Sequence, residues 1–299
     1  MNYALPLLLL GGAIGVGSGV RAAEVVDDSL ARGAALMQQV EQAQQQYPYI
    51  YTEQTMILTD AAGHRDVRQL RHYYRVDTAG HSRSLLIFDA PKAVRGTALL
   101  AIDGVGMGQY IGLYLPALRR ITRLNRDHSR SSYFLGSDFS ADDLLPERVG
   151  DYRYRRQPDM RIGSRLYAVV DARPKSLAVE QATGNSRRRL FVHLTGHYIV
   201  RIDFFDRHGL LYKRETRHDF HRFNSTMWRS NMLYMRNFRE QHATLIKVQR
   251  RIFSRDYVPA EMFTPAWLGE HLRFGHVEPV HQSADSASEP SAQVAAGGS

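Results

Sequence analysis

The 299-residue sequence contains no cysteine. Disulfide bonds and thiolate metal sites are therefore excluded, and so are a thiol nucleophile and lipid attachment to an N-terminal cysteine. Beyond the N-terminal segment, no apolar run is long enough to span a bilayer. With 43% hydrophobic and 23% charged residues, the composition is that of a globular protein with enough apolar material for a large core.

Motifs of catalysis and cofactor binding are also missing. The glycines of residues 104–108 lack the GKS/T ending of a phosphate loop and the GxGxxG spacing, so they predict a turn between strands. His193 and His197 lie four residues apart, but a glycine between them and the strand context remove the helical geometry of a metal pair. His218 and His221 would point to opposite faces of an extended segment. We therefore predict no enzyme activity, no cofactor and no metal site.

The chain is strongly basic, and its N-terminal segment helps to choose among the anionic partners that such a charge could bind. A net charge of +9 and a pI near 9.8 favour an anionic partner, but nucleic acid, a membrane face and acidic head groups all qualify. Residues 3–20 are largely uncharged, and the small residues Ala22 and Ala23 follow them. This is typical of a cleaved signal peptide, which we predict over residues 1–22. An uncleaved anchor or a misplaced start is the alternative, and export argues against nucleic acid.

A helix is predicted after this segment, over residues 27–46. Its apolar positions Leu30, Met37 and Val40 recur at near-helical spacing, and possible N-caps precede them. The helix ends before Pro48. Periodicity leaves open whether it is a core helix or a lid over a cavity.

From residue 49 to residue 253 the hydrophobic period changes to two, which is typical of strands. Short segments rich in β-branched and aromatic residues alternate with turns rich in Asp, Gly and Pro. The predicted strands cover residues 51–59, 68–77, 84–89, 98–102, 109–115, 165–171, 198–206, 210–219, 231–237 and 244–253. Many hairpin-linked strands in one chain predict a large antiparallel meander.

Two short helices and a tail complete the predicted organisation. Ser140 to Asp143 resembles a capping box with Asp in place of Glu, and Thr264-Pro265 starts a terminal helix that runs to about Leu272. Residues 274–299 carry almost no apolar bulk, which predicts a disordered tail.

The most informative segment lies in the middle of the chain. An apolar strand meets a proline, continues as an arginine-rich strand and turns into an aromatic segment: YLPALRRITRL is followed by FLGSDFSADDL. This pair resembles the signature of the LolA-like outer-membrane lipoprotein-sorting proteins, in the branch associated with RND/MMPL-type exporters. The later IDFFDRHGLLYKRET and TLIKVQRRIFSRDYVPAEMFTPAWL also fit. The resemblance covers about residues 24–272.

The resemblance implies a mainly β (α+β) half-barrel over residues 23–273. It would have about eleven strands, with the N-terminal helix and short helices as a lid over a hydrophobic cavity. The implied function is a monomeric periplasmic carrier or chaperone for lipid or lipoprotein acyl chains. Its expected partners are the cargo, an inner-membrane RND/MMPL-type transporter or an outer-membrane acceptor, and a membrane touched transiently. The alternative is an accessory subunit of an envelope complex that docks through a basic face.

Candidate site residues follow from the alternation within the predicted elements. Burying an acyl chain stabilises a complex by about 0.8 kcal/mol per CH₂, and a concave sheet shields more of the chain than a flat patch does. The predicted ligand-binding residues are Met37, Val40, Met56, Leu58, Leu86, Phe88, Leu100, Ile102, Leu113 and Leu115. Taken singly, each of these residues is better explained as plain core, so the prediction concerns the set. Arg119, Arg120 and Arg123 are predicted to contact head groups or an acidic partner, with a solvated strand face as the alternative.

Overall fold

The computed structural model describes residues 21–44, 46–105, 108–124, 133–145 and 148–272. The predicted signal peptide, apart from its last two residues, and the predicted disordered tail lie outside the described residues.

Thirteen antiparallel strands form one curved, open sheet in the described part of the chain. They are β1 Tyr49–Thr59, β2 Arg65–Val76, β3 Ser82–Ala90, β4 Ala98–Val105, β5 Gly108–Leu115, β6 Arg120–Arg123, β7 Tyr152–Ile162, β8 Arg165–Pro174, β9 Arg187–His193, β10 Ile199–Phe205, β11 Leu211–Arg222, β12 Trp228–Asn237 and β13 Ala243–Ile252. The strand order is β6-β5-β4-β3-β2-β1-β13-β12-β11-β10-β9-β8-β7. Two meanders, β1–β6 and β7–β13, are thus joined where β1 pairs with β13, and β6 and β7 are the edges. The predicted antiparallel meander is confirmed, with two strands more than the eleven expected.

The strand ranges that the sequence analysis missed are β7 and β9, which are both rich in arginine. In β9, Arg189 donates to both carboxylate oxygens of Asp171 on β8, at 2.7 and 3.0 Å. The neighbouring Arg188 lies 4.0 Å from the ring centroid of Tyr152 on β7. Because Arg189 finds its partner on the adjacent strand β8 and Arg188 finds one on β7, these cations are accommodated within the sheet although they mask the apolar alternation.

The N-terminal helix α1 spans Arg21–Gln44, so it begins six residues earlier and ends two residues earlier than predicted. Its buried stripe includes Gly33, Met37 and Val40, and this stripe faces the concave side of the sheet. At Gly33 the helix lies against β7 so closely that a Cβ atom would stand 2.5 Å from the carbonyl oxygen of Tyr154.

The opposite, outer face of β1–β5 is covered by the C-terminal segment. Two 3₁₀ turns, Arg255–Tyr257 and Ala260–Met262, lead into helix α3, Pro265–His271. The hydroxyl of Thr264 accepts the amide N–H of Trp267 at 3.2 Å, which confirms the predicted cap. Met262, Phe263 and Leu268 are fully buried against the sheet, so the strands beneath them are apolar on both faces. A further helix, α2 (Leu177–Thr183), follows β8.

Between β6 and β7, residues 133–145 lie on the concave face of the sheet, and we call them the crossing segment. The predicted capping box forms: the amide of Ser140 donates to the Asp143 carboxylate at 2.8 Å, and the amide of Asp143 donates to the Ser140 hydroxyl at 3.2 Å. The predicted helix at this point is wrong, because residues 141–144 form turns. Asp143 also pairs with Lys213 on β11, and Leu145 is buried in the core, so the chain is held down on the sheet.

The close approach of α1 to β7 makes Gly33 a sensitive position. Gly33→Ala is expected to lower the free energy of unfolding by about 1–3 kcal/mol, because the new methyl group meets backbone atoms that cannot move aside. Urea denaturation measures the effect. Gly269→Ala in α3 is the matched control, since a Cβ atom there meets open space and should stabilise the helix by up to about 1 kcal/mol. Equal effects at the two sites would contradict the predicted contact.

Candidate ligand cavity

A cavity of about 390 Å³ lies between the concave face of the sheet, α1 and the crossing segment. Protein interiors are close-packed, with few voids larger than a water molecule, so a space of this size is not a packing defect. Its volume falls in the range of about 300–1,000 Å³ that is usual for small-molecule sites.

Apolar side chains from α1, the sheet, the crossing segment and the 3₁₀ turn before β7 form much of the cavity wall. They are Met37, Val40, Ile50, Leu86, Phe139, Leu144, Leu145, Val149, Ile199, Ile202, Phe204, Phe220, Leu233, Ile246 and Val248. Aliphatic side chains and methionine predominate, and such walls adapt to flexible chains better than a rigid aromatic slot does.

Polar groups of β1 and β2 lie in the same wall. Thr52 and His72 are cross-strand partners, as are Ile50 and Tyr74, and all four side chains line the cavity. His72 Nε2 lies 2.8 Å from the hydroxyl of Ser84. Burial lowers the pKa of His72 to about 4 and raises that of Tyr74 to about 12. Both groups are therefore neutral at physiological pH.

One end of the cavity is closed by hydrogen bonds between the crossing segment and the sheet. Arg68 on β2 donates to the carbonyl oxygen of Leu135 at 2.7 Å. The hydroxyl of Thr244 on β13 donates to the Asp138 carboxylate at 2.7 Å, and it accepts the Asp138 amide at 2.9 Å. Burial raises the pKa of Asp138. Together with the Lys213–Asp143 pair, these bonds fix the segment to three strands.

Arginine side chains line the cavity near the point where α1 ends. Arg217, Arg229 and Arg251 come from β11, β12 and β13. Arg217 donates to the Glu215 carboxylate at 2.5 Å, whereas Arg229 donates to the side-chain and main-chain oxygens of Gln44, the last residue of α1. Burial lowers the pKa of Arg229 and that of Arg251 to about 10 each, which leaves both guanidinium groups charged at neutral pH.

Of the ten predicted ligand-binding residues, Met37, Val40 and Leu86 line the cavity. Met56 and Phe88 are buried in the same inner core, and Leu58 and Leu113 pack against that core, but these four do not contact the cavity. Leu115 is half-buried near the end of β5 and is not part of the wall either.

The structure places Leu100 and Ile102 on the other side of the sheet. Leu100 belongs to the outer core beneath the C-terminal segment, and Ile102 packs against it. Their neighbours Leu99 and Ala101 face inward instead. The cause is that β4 is buried on both faces. Its residues 98–102 are therefore apolar at every position, and the sequence does not show which alternate residues face the concave side.

Arg119, Arg120 and Arg123 are exposed on or beside the edge strand β6, and they do not line the cavity. Arg119 follows a 3₁₀ turn with φ of 47°. The guanidinium of Arg123 lies 5.6 Å from the ring centroid of Tyr110. Contact of this stripe with head groups or an acidic partner stays a prediction.

Sequence reasoning missed Arg229 and Arg251. Arg229 lies on the same face of β12 as the core residues Leu233 and Met235, which are four and six positions further along the strand. The alternation of side chains along β12 could therefore have predicted that Arg229 faces inward. Arg251 could not be found in this way. Opposite Glu53 and Gln54, the register of β13 shifts by one residue at a β-bulge, and this shift places Arg251 opposite the inward-facing Thr52.

The described ranges contain no group of three or more His, Asp or Glu side chains placed to hold a metal ion. None of their helices is both long and apolar enough to cross a bilayer.

Known proteins share this architecture. The structure described as an outer membrane lipoprotein-sorting protein domain from Vibrio parahaemolyticus superposes with a TM-score of 0.74 at 22% identity, over 81% of this chain and 100% of that one. A DUF1329 family protein from Desulfovibrio piger gives 0.70 at 22% identity, over 79% and 99%. A LolA superfamily protein from Nitrosomonas europaea gives 0.61 at 14% identity, over 78% and 97%.

A family model described only as an uncharacterized protein matches residues 80–270, which is more than half of the chain. The chain belongs to this family and has the LolA-like fold. No match is found among curated proteins. The family match extends from the turn between β2 and β3 into α3.

The buried His72 gives the LolA-like domain a pH dependence with a definite sign. Its pKa in the folded state, about 4, lies below the unfolded value of about 6.5. The unfolded chain therefore binds the proton first as the pH falls, and stability decreases between about pH 6.5 and pH 4. The expected loss from His72 is about 2 kcal/mol at pH 5 relative to pH 7.

Urea unfolding of wild type and His72→Gln at pH 7 and pH 5 measures this contribution. The variant should lose less stability on acidification than wild type does. His218→Gln serves as the control, because His218 is exposed on β11. An identical pH dependence in wild type and His72→Gln would contradict the assignment.

Proposed function

We propose that the protein is a non-catalytic periplasmic carrier that holds the acyl chain of a lipid or lipoprotein in the cavity beneath α1. The observation that carries this proposal is the cavity itself: about 390 Å³ of space inside the sheet, walled largely by apolar side chains and covered by a helix. The carrier would pass its cargo between membranes or to a transporter of the RND/MMPL type.

The energetics favour a chain-shaped ligand. Transfer of an acyl chain from water is worth about 0.8 kcal/mol per CH₂, or about 12 kcal/mol for sixteen carbons. Only a cavity that surrounds the chain recovers most of that energy. The walls from α1 and the crossing segment meet this need, because Met37, Val40 and Leu144 face the sheet residues across the space.

The LolA-like fold supports the same proposal. The Vibrio structure is described as an outer membrane lipoprotein-sorting protein domain. The predicted signal peptide fits export to the periplasm.

One observation favours a second candidate, an accessory subunit of an envelope complex. Arg119, Arg120 and Arg123 are exposed together at the β6 edge of the sheet. A basic edge of this kind attracts an acidic protein or membrane surface, and such a role does not need the cavity.

Uptake of lipid by the delipidated protein separates the two candidates. Titration with a fluorescent fatty acid should show saturable binding at one chain per protein if the carrier proposal holds. Native mass spectrometry of protein taken from the periplasm should then show a bound lipid mass. Absence of binding to fatty acid, phospholipid and acylated peptide alike would refute the carrier proposal and leave the accessory role.

Filling the cavity should abolish uptake without unfolding the protein. Val248 lines the cavity from β13, so Val248→Trp is expected to weaken fatty-acid binding about tenfold or more, because the indole occupies space that the chain needs. Val67→Trp is the matched control, since Val67 is 49% exposed on β2. Fluorescence titration measures affinity, and circular dichroism checks the fold. Unchanged affinity in a folded Val248→Trp protein would place the ligand elsewhere.

A further inference from the structure

Two guanidinium groups lie in the cavity wall at the end where α1 finishes. Arg229 on β12 and Arg251 on β13 both line the cavity. They are close enough that the charge of Arg251 adds to the effect of burial in lowering the pKa of Arg229. Two like charges in a poorly solvated place are unfavourable unless a negative group joins them.

Among the described residues, neither arginine has an ionic partner. Arg229 donates to the two oxygens of Gln44, which are neutral, and its Nε is buried with no hydrogen-bond partner. Arg251 donates to the side-chain oxygen of Asn231 and to the carbonyl oxygen of Ser230, each at 2.8 Å. In the part of the chain that the structure describes, no carboxylate forms an ion pair with either arginine.

The carboxylates nearby have other positions or partners. Asp219 acts on Arg251 only from a distance; its side chain is 48% exposed and pairs with His221 at 3.0 Å. Glu41 and Asp142 line the same cavity, but neither is within ion-pair distance of Arg229 or Arg251.

Other arginines of the sheet form ion pairs with carboxylates. Arg71 makes a two-bond pair with Asp89 at 2.7 and 2.9 Å. Arg214 makes another with Asp203 at 2.5 and 3.1 Å. In the cavity itself, Arg217 is paired with Glu215. Arg229 and Arg251 differ from these three arginines in having no carboxylate partner among the described residues.

We propose that Arg229 and Arg251 bind the anionic head group, a carboxylate or phosphate, of a single-headed amphiphile whose chain fills the apolar part of the cavity. This inference rests on the proposed carrier function and specifies its ligand class. A guanidinium presents parallel N–H donors that match two oxygens of a carboxylate or phosphate. Tyr74 lines the same cavity and keeps its hydroxyl proton, so it supplies a further donor.

The dimensions of α1 fit this arrangement. Gln44 contacts Arg229 at one end of the helix wall, and Met37 lies about 10 Å away along the axis at 1.5 Å per residue. Met37 and Val40 are apolar and buried. A ligand that lies along α1 therefore meets cations at its head and apolar side chains along its tail.

The test measures binding of three probes that share a sixteen-carbon chain to the delipidated full-length protein: palmitate, methyl palmitate and hexadecyltrimethylammonium. A fourth arm uses inorganic phosphate alone. Wild type should bind palmitate most tightly and the cationic probe least tightly. Arg229→Gln and Arg251→Gln should each weaken palmitate binding about 10- to 100-fold, the value of a charge-assisted hydrogen bond. Binding of methyl palmitate should change less than about twofold.

Arg236→Gln is the matched control, because Arg236 lies on the same strand β12 but is exposed. It should leave every affinity unchanged. Thermal melts of the unliganded variants show whether each is folded, and removal of an unneutralised charge is expected to preserve or raise the melting temperature.

Each other outcome overturns the inference in a distinguishable way. If wild type binds the three probes equally, the cavity binds the chain without recognising the head group. The head-group inference then fails while the carrier proposal remains. If the arginine variants lose methyl palmitate together with palmitate, the arginines are structural. If phosphate alone binds as tightly as palmitate, the site recognises free anions rather than lipid. If no probe binds, the carrier proposal itself fails.

Discussion

The pairing of β1 with β13 is the contact on which the rest of the structure depends. It joins strands from opposite ends of the described chain, with Tyr51 opposite Ile252, and it turns two meanders into one sheet. Because this joint lies in the middle of the strand order, the edges fall at β6 and β7. A curved sheet with two free edges cannot close by hydrogen bonds alone. Its concave face must be covered by other elements, which here are α1 and the crossing segment.

The two ends of the covered space differ in chemistry. Where the crossing segment meets the sheet, buried polar groups are matched: Lys213 with Asp143, and Thr244 with Asp138. Where α1 ends, the cations Arg229 and Arg251 lack such a match. Buried polar groups are normally hydrogen-bonded or paired within a folded protein. The polar groups of the crossing segment meet this rule without a ligand, whereas the two arginines near the end of α1 are suited to bind an anionic one.

Much of the fold was predictable from the sequence, because alternation and turn residues specify strands locally. The Arg-rich β7 and β9 escaped prediction because their arginines interrupt the apolar alternation. The partners of Arg188 and Arg189 in β9 lie on other strands and are revealed only by the tertiary structure. The cavity wall was less predictable. Leu86 lines the cavity while Leu100 lies across the sheet, and the doubly buried β4 hides that difference. Arg251 faces inward only because a β-bulge shifts the register of β13.

The free edges β6 and β7 have a mechanical consequence. In the described part of the chain, no ladder of backbone hydrogen bonds joins these two strands, whereas α1 packs closely on β7. Moving the two edges apart would cost packing energy between α1 and β7 but would break no strand pairing. If the protein is the carrier proposed above, an acyl chain could enter or leave between the two edges while every strand of the sheet stays paired.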